Sequence, residues 1–170
     1  MPNILETERL ILRKFSLDDA SFILNLLNTP TWMQFIGDRG VRNIDDARNY
    51  LLKGPIKSYE TNGFGLYMVA LKKTETPIGM CGLIKRDFLE NVDIGFALLP
   101  EFAGKNYAYE VASATVDYAR NTLKLPRLVA ITTEDNAHSI KLLQKIGLTF
   151  EKKIKYGAEE EVLLLFGMDM

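Results

Sequence analysis

The 170 residues are 47% apolar and 25% charged, an ordinary globular balance that excludes a disordered chain and fits one α/β domain spanning 1–170. Lys and Arg number 21 against 22 Asp and Glu, for a formal net charge of -1, so the concentrated basic excess of a nucleic-acid-binding surface is absent. No apolar stretch approaches the roughly 20 residues that cross a bilayer.

Arg9 to Phe15 reads as a first strand, with Leu10 and Leu12 alternating against Arg9, Ile11 and Arg13. Ser16 follows as a helix N-cap, with Asp18 and Asp19 in the first turn, where the helix dipole favours carboxylates. Ala20, Ile23, Leu24 and Leu27 then share one helical face, and Asn28-Thr29-Pro30 is expected to end the helix. A second helical pattern begins at Asn43, with Ala47, Tyr50 and Leu51 on one face. Gly54-Pro55 interrupts it, so the stretch through Tyr59 reads as a kinked or separate helix. Strands are expected over Phe64 to Leu71 and Ile78 to Ile84, joined as a hairpin, and from about Val92 to Leu99. Cys81, the only cysteine, lies in the apolar run of the second of these and reads as a buried small hydrophobe.

After Pro100 the apolar period changes from two to three and four. Val111, Ala114, Thr115, Tyr118 and Ala119 share a face, placing a helix within Lys105 to about Leu123. Leu128 to Thr132 is a short β-branched strand, and Asn136 to Ile146 is a helix closed by Gly147. Phe150 to Tyr156 and Glu161 to Met168 form a final hairpin. Such an order suits an α/β mixed sheet with helices on its faces. One histidine, His138, and no Cys/His cluster exclude a His-rich metal site. A lone cysteine without a basic-then-apolar N-terminal signal suits a cytoplasmic location.

The segment from Asp93 to Glu110 carries the chemistry. A strand ends, a loop containing Gly104 turns, and a helix begins, so unpaired amides and a partial positive charge face outward, with Lys105 adding a cation. Such a loop holds a pyrophosphate or merely shapes a strand-to-helix turn. A dinucleotide-binding Rossmann loop needs three spaced glycines, and Gly104 to Ala108 supplies one.

Glu101, Gly104 and Asn106 occupy the three marked positions of a Gln/Arg-x-x-Gly-x-Gly/Ala pattern, with Glu and Asn as departures. Asn tolerates a positive φ best among non-glycine residues, so the turn remains accessible. In this the segment resembles the acetyl-CoA motif of the GNAT superfamily. Asn136, Ser139, Lys145 and Gly147 are similarly spaced to that family's second cofactor segment, and Glu6 to Arg13 with Leu17 to Ala20 resembles the opening of the branch that acetylates N-termini of ribosomal proteins. The resemblance implies a central mixed, mostly antiparallel sheet flanked by helices, with acetyl-CoA as co-substrate and no metal. It assigns the backbone of Phe96, Ala97 and Leu98 to the pantetheine arm, the amides of Gly104, Lys105, Asn106, Tyr107 and Ala108 to the pyrophosphate, and the Asn136 side chain to the pantetheine. An N-cap role alone also explains Asn136.

The resemblance implies the superfamily's usual chemistry, in which the amine attacks the thioester directly and no enzyme nucleophile is required, and backbone amides of the third strand can stabilise the oxyanion. Relatives often carry a carboxylate where Asp93 stands, which makes it the candidate general base; a solvated strand-edge Asp is the plain alternative, and Glu90 a second candidate. Many relatives place a Tyr in the second helix where this chain has Leu142 and Leu143. Ser139, within the matching segment, is therefore the first candidate acid, ahead of Tyr156 or a water. Trp32, Phe35 and Tyr67 border the acceptor or belong to the core. The amine substrate is expected to be a protein N-terminus, with a small molecule (polyamine, amino acid or antibiotic) as alternative, and a non-catalytic acetyl-CoA-binding module as a third reading. No nucleic-acid or membrane partner is expected, and monomer and homodimer both stay open.

Overall fold

The computed structural model describes residues 2–170. Strands β1 (Asn3–Glu6) and β2 (Leu10–Arg13) lead into a short turn of helix at Leu17–Asp19. The Asp19 carboxylate holds that corner, accepting from the Ser16 amide at 2.9 Å and from both Arg13 guanidinium nitrogens at 2.9 Å. Helices α1 (Ala20–Leu27), α2 (Pro30–Phe35) and α3 (Ile44–Leu51) follow, then a π-helical stretch, Leu52–Ile56, and α4 (Lys57–Asn62). Strands β3 (Leu66–Leu71), β4 (Pro77–Ile84) and β5 (Asp93–Leu98) precede α5 (Tyr107–Asn121), β6 (Arg127–Thr133), α6 (Ala137–Lys145), β7 (Thr149–Tyr156) and β8 (Glu161–Asp169).

The strands form one sheet in the order β1-β2-β3-β4-β5-β6-β8-β7. Neighbours run antiparallel except β5 and β6, which are parallel. On one face, α5 and α6 pack Ala112, Val116, Ala119 and Leu143 over Leu83, Ile94, Leu128 and Phe166. On the other, α1, α2 and α3 pack Ile23, Leu26, Trp32, Ala47 and Leu51 over Met68 and Met80. The mixed, mostly antiparallel sheet flanked by helices is the expected architecture.

Several local expectations are corrected. Strand β1 was not foreseen, and it pairs with β2 along Asn3–Glu6. Ile11 is buried with Leu10 and Leu12, because a strand covered on both faces loses its alternation. Helix α1 buries Leu26, while Leu24 is only partly covered. Asn28-Thr29-Pro30 ends one helix and starts the next: the Thr29 hydroxyl accepts from the Trp32 amide, and Pro30 takes the first helical position, where no amide is needed. Helix α5 buries Ala112 and Val116 where Ala114 and Tyr118 were expected.

Two glycines set how closely β4 fits its neighbours. A Cβ on Gly79 would stand 2.2 Å from the Ala97 carbonyl oxygen, and one on Gly82 would stand 2.1 Å from that of Gly65. Both obstacles are backbone, so a strand must move to admit a methyl group. Gly79→Ala is expected to lower stability by roughly 1–3 kcal/mol, as overpacking does. Urea unfolding of parent and variant checks this; an unchanged midpoint would mean that β5 yields freely.

Candidate active site

The sheet opens between its two parallel strands. Asp93 pairs with Val129, and the Val129 amide donates to the Val92 carbonyl at 3.0 Å. Beyond that pair β5 stays with β4, through Gly79 opposite Leu98, while β6 stays with β8, through Thr133 opposite Leu163. The two strands are thus held by their outer neighbours as they diverge. On its β6 side, the backbone of Ile94 to Leu98 has no strand partner, and backbone polar groups left so require another one. Phe96, Ala97 and Leu98 lie on this open seam, each partly exposed.

At the end of the seam, a short helical turn at Pro100–Phe102 delivers the chain to the start of α5. Gly104 has φ +76° and Asn106 has φ +67°, with Lys105 between them. Left-handed residues set among ordinary ones turn successive amides toward one side and form a concavity for an anion. Asn106 is also the N-cap of α5, whose first amides, at Tyr107 and Ala108, add to the same field. A Cβ on Gly104 would meet no atom within 4 Å, so the space beside this residue is open. The glycine is demanded by its φ and by whatever fills that space, rather than by crowding within the protein.

Helix α5 is anchored from a distance. The Glu110 carboxylate accepts from the Arg9 amide at 2.9 Å, from Arg9 Nε at 2.7 Å and from the Thr7 hydroxyl. The Arg9 guanidinium also lies 4.3 Å from the centre of the Tyr107 ring. The arrangement neutralises the one acidic side chain in the first turn of α5 and fixes the loop that precedes it. Sequence reasoning missed Glu110; its position three residues into the helix, opposite the arginine-bearing N-terminal segment, was the available signal.

Asn136 caps α6, its side-chain oxygen accepting from the Ser139 amide at 3.3 Å. Its side-chain nitrogen has no hydrogen-bond partner among the described residues, so capping and ligand binding are compatible. Ser139 is half-buried in the same turn, and His138 is exposed. Lys145 closes α6 against α5, its ammonium 4.2 Å from the centre of the Tyr109 ring.

Asp93 is 1% exposed, which removes the solvated-edge alternative. Its carboxylate accepts from Arg86 Nε at 3.1 and 3.3 Å. Burial pushes the carboxyl up to about 6, against the opposing pull of the Arg86 charge. Strand alternation puts Asp93 on the same side of β5 as Ala97, which packs with Met80 in the α1–α3 layer. Tyr50 of that layer, whose phenol burial pushes up, lies close enough to Arg39 and Arg86 to feel both charges. Arg86 also borders a cavity of about 470 Å³ with Lys85, Phe88 and Tyr156. The Phe88 and Tyr156 rings stack there at 4.3 Å.

The structure therefore gathers Asp93, Arg86, Tyr50 and Tyr156 toward one region, and Gly104, Lys105, Asn106, Tyr107 and Ala108 into one loop and helix start. Asn136 and Ser139 stand where the chain leaves the far end of β6. Glu90 is exposed. Trp32 and Tyr67 are core, the latter stacked on Tyr59 at 5.4 Å, although the buried Trp32 indole nitrogen has no partner among the described residues. Burial pushes the Cys81 thiol up to about 12, against the opposing hydrogen bond with Thr115, leaving it inert. Among the described residues, no group of three or more His, Cys, Asp or Glu side chains is placed to hold a metal ion, and no helix is long and apolar enough to cross a membrane.

A family model described as an acetyltransferase (GNAT) domain matches residues 9–149. The uncharacterized N-acetyltransferase p20 of Bacillus licheniformis is 31% identical over 151 residues, covering 88% of this chain and 83% of its own. Among the solved structures that share the fold are two named for their acceptors. A ribosomal-protein-S5-alanine acetyltransferase from Vibrio fischeri superposes with a TM-score of 0.81 at 21% identity, covering 97% of this chain and 95% of its own. A spermidine N-acetyltransferase from Vibrio cholerae, in complex with CoA and spermine, superposes with a TM-score of 0.76 at 19% identity, covering 94% and 95%.

Proposed function

Because this chain belongs to the GNAT acetyltransferase family and is an acetyl-CoA-dependent acetyltransferase, we propose that its acceptor is an α-amine at a protein N-terminus, and that 1–170 acts as one cytoplasmic domain. The observation that carries the α-amine reading is the enclosed Asp93 carboxyl beside Arg86. The open β5–β6 seam running into two left-handed residues at the head of α5 supports acetyl-CoA binding. Its parts fit the co-substrate: β5 backbone at Phe96, Ala97 and Leu98 for the amide-rich arm, and the amides of Gly104 to Ala108, with Lys105, for the pyrophosphate. The Asn136 side-chain nitrogen is available to the same arm.

Acetyl-CoA supplies an acyl group activated as a thioester. The amine nitrogen bonds to the acyl carbon, the carbon–sulfur bond breaks, the amine loses a proton and the thiolate gains one. Asp93 is too enclosed to touch the amine, so it takes the proton through a bound water beside Arg86. With its carboxyl near 6, transfer from an α-amine, whose pKa is about 7.7–8.0, is uphill by roughly 2 units. From a lysine-like or polyamine nitrogen near 10.4 it is uphill by roughly 4. That gap favours the α-amine over the diamine. Ser139 supplies the proton to the thiolate. Tyr156, which shares a cavity with Arg86, is the competing donor, and the rates of Ser139→Ala and Tyr156→Phe separate the two.

Acetyl-CoA at about 100 times its Kd is expected to add roughly 2.7 kcal/mol to stability, a rise of very roughly 5–10 °C in Tm for a domain of this size. A dye-based melt with acetyl-CoA, NADH and ATP in parallel measures it. No shift with acetyl-CoA, or equal shifts with all three, sinks this assignment of the loop.

A further inference from the structure

We propose that the acceptor carries an anionic group beside its reactive amine, and that this group sits in a cavity walled by Arg39 and Lys53. The proposal rests on the α-amine reading and narrows it to acidic acceptors.

The cavity, of about 430 Å³, opens between the connection from α2 to α3 and the outer side of α3, and Arg39, Val41, Asp46, Asn49, Tyr50 and Lys53 line it. Neighbouring charges are already committed. Arg42 pairs with Asp38, Arg48 pairs with Asp45, and the Asp46 carboxylate accepts from the Arg42 amide at 3.0 Å. Arg39 and Lys53 have no carboxylate partner among the described residues, and both are exposed. Asp46, the only acid on the wall, closes the first turn of α3 and keeps its charge, so two unpaired cations and one carboxylate line the space, a net positive wall. With two cations against one carboxylate, the wall on balance disfavours a diamine and favours a carboxylate or phosphate held between Arg39 and Lys53.

Tyr50 connects this cavity to the chemistry. It forms part of the wall with Arg39 and Lys53, and its phenol lies within electrostatic reach of both Arg39 and Arg86. Arg86 in turn holds Asp93. Tyr50 of α3 and Ala97, which shares a side of β5 with Asp93, pack against the same core cluster. An acceptor whose amine reaches the Arg86–Asp93 pair would therefore carry its next groups along α3 toward Arg39 and Lys53. Two sources present the required charge: an acidic side chain early in a protein N-terminus, and the α-carboxylate of a free amino acid.

The test compares short amidated peptides beginning Ala-Glu, Ala-Gln and Ala-Lys with free glutamate and a diamine. Both kcat/KM and equilibrium binding in the presence of CoA are read, for the parent and for Arg39→Glu/Lys53→Glu. The parent is expected to prefer the Ala-Glu peptide, or free glutamate, over Ala-Gln by tenfold or more. The double variant is expected to reverse the order in favour of Ala-Lys, with an unchanged Kd for acetyl-CoA. Arg39→Gln/Lys53→Gln, which only removes charge, should flatten the ranking and serves if the reversal does not fold. Preference for glutamate identifies the free amino acid as the source, and preference for Ala-Glu the protein terminus. A parent that does not rank acidic above neutral acceptors, or a reversal that lowers every acceptor alike, overturns the proposal. Selective binding of the acidic peptide without acetylation supports the anion site and instead removes the α-amine reading.

Discussion

Replacing Asp93 by Asn is expected to lower kcat/KM for an α-amine acceptor at pH 7 by about 10²–10³-fold, within the range that a positioned base contributes. The parent rate should rise with pH through about 6, where the Asp93 carboxyl loses its proton. The variant should lose that limb and follow the acceptor's own ionisation. About a tenth of an α-amine is already neutral at pH 7, against about 0.04% of a lysine-like amine. Raising the pH to about 9 should therefore largely rescue Asp93→Asn with a peptide, but not with a diamine. Stability provides an independent reading. The folded-state carboxyl lies above its unfolded value of about 3.9, so its contribution is fully present below that pH and is lost as pH rises through about 6. Asp93→Asn should accordingly show a flatter stability curve between about pH 4 and 6. Identical rate profiles for the two proteins would take Asp93 out of the mechanism.

Gly104→Val should raise the Kd for acetyl-CoA by about 10- to 100-fold while costing the fold only about 1–2 kcal/mol, the usual penalty for a branched residue in the left-handed region. The two effects separate because a Cβ at Gly104 meets nothing within the protein, whereas a branched side chain on this loop would crowd a pyrophosphate bound at its amides. Gly104→Asn, whose side chain tolerates the same φ, should bind better than the Val variant. Asn106→Gly should bind as well as the parent or tighter, since it relaxes the second left-handed residue. Calorimetric titration of the four proteins decides the matter. A normal Kd for Gly104→Val would reduce the loop to a turn.

The parts of this site that were legible in the sequence are those made by local backbone. Asn106 signalled a positive φ by its residue type, and the Asn136 cap by its place before a helical period; both are present. Asp93 stood out at the strand start, but its partner did not, because Arg86 reaches it across the bend between β4 and β5 and no periodicity encodes that distance. Arg9 and Glu110 meet across about a hundred residues, and only the fold brings them together. Errors in the elements have similar roots. Thr29-Pro30 carries the signals of a stop and of a start at once, and only the packing of α2 makes the start visible. A strand as short as Asn3–Glu6 offers too few residues to show a period, and its pairing comes from β2.

The π-helical stretch between α3 and α4 fixes the length of this part of the chain. A π turn holds one more residue than an α turn, and here it lets the helical path pass Pro55 without breaking. Deleting one residue from Leu52–Ile56 would restore regular hydrogen bonding locally, yet it would rotate everything after it by about 100° about the helix axis. Tyr59 would then swing out of position. Its hydroxyl accepts from the Phe15 amide at 3.0 Å and donates to the Leu66 carbonyl, joining the N-terminal segment to β3. A deletion that makes the helix more ideal would thus disconnect two distant parts of the sheet layer. The residue count of this segment is therefore held by angular phase, apart from what its individual side chains do.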